Sequence, residues 1–125
     1  MTLATLRRDE RGVTAVEFAI TAPAFFLVLF GIIQGGLLLW TQIGLQHGTE
    51  MAARCAGVNK TICGNNAAIA AYAATQAYGL TLPPSTFTIT NEACGIAVRA
   101  TYTFSLLFKG LSPTLDLNAQ ACFPT

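Results

Sequence analysis

A chain of 125 residues, 53% of them hydrophobic and only 10% charged, holds a long apolar segment and one small folded unit rather than two full cores. Its net charge of +1 excludes the basic footprint of nucleic-acid binders, so no nucleic acid is expected among its partners. A single His47 and four Cys without a C-x-x-C-like pair exclude the usual zinc sites, and neither metal nor cofactor is expected.

The charge is unevenly placed. Arg7, Arg8 and Arg11 stand with Asp9 and Glu10 before Gly12. Beyond it four bases (Arg54, Lys60, Arg99, Lys109) balance four acids (Glu17, Glu50, Glu92, Asp116). A neutral remainder has no net repulsion to keep copies apart, so association is its natural tendency. From Phe18 to His47 there is no Lys, Arg, Asp or Glu. At ~1.5 Å per residue this run crosses a ~30 Å hydrocarbon layer as a helix. It is about twice the ~7–15 residues of a secretory signal core, and Ala22-Pro23-Ala24 comes too early to be a cleavage site after it. The basic leader favours the cytoplasm, which directs the Cys-bearing part across the membrane.

The pattern predicts one long helix from Val13 to about Asn59, with Pro23 inviting a kink or a locally melted turn. Gly31 and Gly35, and again Gly44 and Gly48, form G-x-x-x-G spacings. These leave a flat strip on a lipid-facing helix where a second backbone can approach. Generic use of small residues in membrane helices is the plainer reading of either pair. Trp40, with Thr41 and Gln42, marks the outer membrane interface. From Gln42 to Asn59 the helix turns amphipathic and should leave the membrane to pack on the C-terminal domain, with Glu50 and Arg54 placed as an i, i+4 ion pair.

After a break at Gly57 to Asn66, an Ala-rich helix capped by Asn65 or Asn66 is predicted through Tyr78, ended by Gly79. Leu82-Pro83-Pro84-Ser85 is a stiff linker in which neither helix nor strand continues. Beyond it the apolar period changes from 3.6 to 2. Phe87 and Ile89, then Ile96 to Phe104, then Leu115 to Phe123, read as three antiparallel strands, with turns at Asn91–Gly95 and Lys109–Pro113. The sheet's apolar face needs a cover, which the second helix or the lower half of the long one can provide. The fold class is therefore α+β: a long N-terminal transmembrane helix continuing outside the membrane, a short Ala-rich helix and a small three-stranded antiparallel sheet.

All four Cys lie beyond the membrane segment, an even count that reads as two disulfides in an oxidising compartment, with four reduced buried thiols as the other reading. Folding the last two strands about Gly110 brings Cys94 near Cys122, which leaves Cys55 for Cys63. Cys94 and Cys122 fall on opposite parities of their strands, so this pairing demands a bulge or a frayed strand end.

Cleavage after Gly12 would free an amine on Val13, one helical turn before Glu17 on the same face. A carboxylate in hydrocarbon costs on the order of 3 kcal/mol and needs a partner: its own helix N-terminus, or the amine of a neighbouring copy. The plainer reading is a solvated Glu17 that marks the helix start at the interface.

Arg11-Gly12-Val13-Thr14-Ala15-Val16-Glu17-Phe18-Ala19, with the basic residues before it, then Pro23, Phe30-Gly31-Ile32-Ile33 and Ala52-Ala53-Arg54-Cys55, resembles the TadE-like pseudopilins of tight-adherence (Flp-type) pilus systems over residues 7–56. The resemblance implies that a prepilin peptidase of the inner membrane removes residues 1–12. Glu17, with Phe18 beside it, would then serve assembly. Residues 13–59 would form the transmembrane and extended helix, and 60–125 a small extracytoplasmic domain. The implied function is a minor, pilin-like subunit needed to build the pilus, not an enzyme. Its implied partners are the peptidase, other pilins or pseudopilins, the inner-membrane assembly platform and the lipid bilayer. Its place is the bacterial inner membrane, N-terminus in and C-terminal domain in the periplasm, or associated with the pilus. One departure stands out: many relatives carry an acidic–aromatic pair after the Gly-Ile-Ile, where this chain has Gln34-Gly35. The competing readings are a membrane-anchored periplasmic enzyme, for which no nucleophile–base–acid set is visible, and a membrane-permeabilising peptide, against which the strand pattern and paired Cys count.

Overall fold

The structure, a computed structural model, describes residues 10–106 and 114–125. The leader residues before Glu10 and the predicted turn at Lys109–Pro113, with Gly110, lie outside the described residues. The order is α1 (Glu10–Val58), α2 (Asn66–Thr75), a single 3₁₀ turn (Pro84–Thr86), β1 (Phe87–Glu92), β2 (Gly95–Phe104) and β3 (Leu115–Phe123). The chain divides into two compact units at Gly35 and Gly36, inside α1.

In the first unit α1 runs unbroken through Pro23, so the melted turn expected there does not form. The missing amide at Pro23 leaves the Ala19 carbonyl without its helical donor, a loss of one bond that the surrounding turns tolerate. The large apolar side chains here, among them Phe18, Ile20, Phe25, Leu27 and Ile32, are exposed.

The second unit carries the core. Leu45, Ala52 and Ala56 of α1, Ile69, Ala70 and Ala73 of α2, and Phe87, Val98, Ala100, Leu117 and Ala119 of the sheet form one buried cluster. Both helices thus cover the apolar face of a meander ordered β1-β2-β3, antiparallel throughout. Alanine dominates the helical side of the core, because a small side chain lets helix and sheet approach closely. Ala97 is fully buried although the strand period places it on the polar face; it sits between Thr90 and Cys122 in the central strand.

Local chemistry sets the start of α2. Asn65, extended at φ −145°, caps the start by accepting the Ala68 amide at 2.8 Å. The helix stops at Thr75, earlier than the Tyr78 expected. The Gln76 amide tightens onto the Ala73 and Tyr72 carbonyls, and Tyr78 takes a positive φ of 48° before Gly79 at 76°. The end of α1 is closed by side chains instead. Lys60 Nζ donates to the Ala56 carbonyl at 2.7 Å, and Asn59 Oδ1 accepts the amides of Thr61 and Ile62.

Two disulfides staple this unit. Cys55–Cys63 ties the last turn of α1 to the loop after it, and Cys94–Cys122 ties the β1–β2 turn to the end of β3. Cys94 lies in the two-residue turn Ala93–Cys94, outside both strands, so strand parity does not constrain it and no bulge is needed. The two bonds differ in access. Cys55 and Cys63 are buried, whereas Cys94 is exposed and Cys122 half-buried. A mild reductant should therefore open Cys94–Cys122 first, because exchange requires attack by a thiolate on a reachable sulfur. Differential alkylation with mass mapping checks this order, and the reduced protein should show faster proteolysis within the second unit. Prior opening of Cys55–Cys63 would contradict it.

Candidate functional site

Three groups of residues carry the sequence-level expectations, and the structure distributes them along α1. Gly12 and Val13 lie in its first turn, where the backbone frays at least cost. A Cβ added at Gly12 would meet nothing within 4 Å. Four residues beyond Val13, Glu17 is exposed. The ion pair found among the described residues is elsewhere, between Arg99 and Glu92 at 2.7 Å. Thr21 cannot lend Glu17 a free hydroxyl on this face, since its Oγ1 donates back to the Glu17 and Phe18 carbonyls at 2.9 and 3.3 Å. Phe18, exposed beside Glu17, lines a shallow apolar groove with Ala22, Phe25 and Phe26.

The two glycine pairs have different surroundings. Around Gly31 and Gly35 a Cβ would meet nothing within 4 Å. Gly44 and Gly48, in contrast, face α2 and the turn after it in the same chain: their Cβ atoms would stand 3.0 Å from the Ala77 carbonyl oxygen and 2.8 Å from that of Ala73. The second backbone that approaches this strip belongs to the same molecule. Gln34, where the resemblance leads one to expect an acid, is buried, and its Nε2 has no hydrogen-bond partner among the described residues.

Sequence reasoning missed two arrangements. Gln42 and Gln46, one turn apart on α1, donate through Nε2 to the Asn118 and Gln120 carbonyls, at 2.9 and 3.4 Å. One helical turn matches two residues of strand, so the pair closes the outer edge of β3 against further strand pairing. A Gln i, i+4 pair on the amphipathic stretch was the available signal. Gln46 also donates to Glu50 Oε1 at 2.8 Å, and that oxygen is engaged there instead of with Arg54; the expected Glu50–Arg54 ion pair is absent among the described residues. The second arrangement is His47, whose Nδ1 lies 2.8 Å from the Gln76 carbonyl oxygen. A carbonyl only accepts, so this nitrogen carries the proton. The His47 ring stacks on Tyr78 with centroids 4.3 Å apart.

Within α1 lies one stretch long and apolar enough to cross a membrane, and its apolar window is unburied, compatible with a membrane anchor. Residues 12–54 match the family model described as TadE-like protein. No curated protein and no solved structure matches the chain.

Proposed function

We propose, starting from the TadE-like character of residues 12–54, that this chain is a minor pseudopilin of a tight-adherence pilus, processed after Gly12 and assembled through its N-terminal helix. The observation that carries the reading is an exposed Glu17 one helical turn from Val13, at the head of an unburied apolar helix. Processing places a new amine at Val13. At the edge of the hydrocarbon Glu17 is partly desolvated, a cost of up to ~3 kcal/mol that the amine of an adjacent copy or pilin relieves, so assembly is favoured over the isolated subunit. Gly31 and Gly35 offer a further open strip for a neighbouring helix, which fits packing between subunits. The prepilin peptidase, other pilins or pseudopilins and the inner-membrane platform are the partners this role requires. The leader stays cytoplasmic and the second unit faces the periplasm, where Cys55–Cys63 and Cys94–Cys122 form and persist.

Gly12→Ala should slow processing without disturbing the fold. Its Cβ would meet no neighbour, and alanine stiffens the first turn by about 1 kcal/mol of helix propensity against the fraying a peptidase needs. Accumulation of the unprocessed form in membranes, followed by immunoblot, is the expected result. Deleting the gene and imaging the cells tests the role itself: loss of pili supports it, and full piliation overturns it. Fractionating sheared pili against membranes then separates a fibre subunit from an assembly factor that stays behind.

A further inference from the structure

We infer that Tyr78, together with Trp40 and Ile43, forms an aromatic foot by which the second unit rests on the lipid headgroup layer. The three side chains are large, and 49%, 55% and 57% exposed respectively. Trp40 and Tyr78 rings lie 6.1 Å apart, one from α1 and one from the turn after α2. Tyr78 holds a backbone conformation with φ 48°, which a bulky residue adopts only when its surroundings impose it. Two contacts impose it here: the ring stacks on His47, and the His47 Nδ1–H holds the Gln76 carbonyl two residues before. The molecule thus spends backbone strain to keep a half-exposed aromatic ring in place. A core role does not explain that exposure.

The occupant follows from position. Counting about twenty residues from Phe18 uses up the ~30 Å hydrocarbon layer, and places Trp40 about one turn beyond it, within a headgroup layer of roughly 5–7 Å. Tyr78, in ring contact with Trp40, shares that level. Tyr and Trp prefer this zone because an apolar ring and a polar edge are both satisfied there. The apolar surface of Trp40 and Ile43 therefore continues onto the Tyr78 turn. The inference rests on the proposed membrane-spanning reading of α1, and its test keeps the two apart.

The unsubstituted full chain, reconstituted in phosphatidylcholine vesicles containing a headgroup-diazirine phosphatidylcholine, is irradiated and its adducts are mapped by mass spectrometry. Adducts on both the Trp40–Ile43 segment and the Tyr78 turn are expected. Adducts on Trp40–Ile43 alone would overturn the foot and leave the span intact, while adducts on neither would overturn both. Cross-linking of the Tyr78 turn to a second copy in place of lipid would also overturn it. Because Trp40 is the single Trp, the double variant Trp40→Phe, Tyr78→Trp gives an independent reading. Its emission should be lowered more by phosphatidylcholine brominated near the headgroup than by one brominated near the chain end. Quenching by aqueous iodide without quenching by either lipid would contradict the inference.

Discussion

Glu17→Ala should abolish piliation while leaving cleavage after Gly12 intact. An unassembled subunit holds Glu17 at the edge of the hydrocarbon, where desolvation costs up to ~3 kcal/mol, relieved when the carboxylate meets an amine on a neighbour. Alanine removes the penalty along with the attraction, so the isolated subunit no longer gains by assembling. At ~1.4 kcal/mol per tenfold, the loss corresponds to as much as roughly a hundredfold in the association constant. Glu17→Gln should fall between, because a neutral amide keeps a hydrogen bond but not the charge. Nothing in the fold confounds the experiment, since Glu17 is exposed. Counting pili by electron microscopy, beside an immunoblot for processing, reads both effects; normal pili in the alanine strain would refute the pairing.

The second large effect belongs to Gly48. Alanine there places a Cβ 2.8 Å from the Ala73 carbonyl oxygen, a backbone atom of α2 that can retreat only if the whole helix moves. Helix propensity returns about 1 kcal/mol, whereas overpacking costs about 1–3 kcal/mol, so the net change is destabilising. Gly48→Leu adds a branched side chain against Phe87 and Ala77 as well, and should cost more than alanine. Small domains have only about 5–15 kcal/mol in hand, and a substitution of this size lowers the melting temperature by several degrees or prevents folding. Gly31→Leu and Gly35→Leu are the matched controls: around both glycines there is open space, so the chain should fold as before. If those two variants nonetheless lose pili, the strip serves contact between subunits. Thermal unfolding in detergent, with piliation scored in parallel, distinguishes the cases. Equal melting for Gly48→Leu and the unsubstituted chain would contradict the packing of α1 on α2.

The contrast between the two glycine pairs shows what a sequence can and cannot convey. Spacing announces that a backbone will come close, but not whose. Gly44 and Gly48 meet α2 and its following turn because the amphipathic stretch of α1 packs into its own core; the amphipathic pattern signals that packing, whereas the glycine spacing alone does not. The strands were legible for the opposite reason: a period of two, set off from the helices by Pro83-Pro84 and departed from at buried Ala97, leaves one apolar face and one register. The end of α2 was not legible. Ala-rich sequence continues to Ala77, yet the His47 contact with Gln76 and the stack on Tyr78 draw the chain out of the helix. Similarly, Glu50 and Arg54 had favourable spacing, but Gln46 occupies Glu50 while also closing the edge of β3. At the end of α2 a tertiary partner outweighed a local preference; at Glu50 one i, i+4 pair displaced another, each worth a few tenths of a kcal/mol. The features on which the proposed function rests are local ones: a basic leader, Gly12, a lone Glu17 five residues on, and an apolar run.

The N-terminus of the native polypeptide provides the most direct test. Intact-mass and terminal-peptide mass spectrometry of the membrane and sheared-pilus fractions should find a chain that begins at Val13. A native chain that still carries the residues before Val13 would leave Glu17 without its freed amine, and would contradict an assembly role built on that pair.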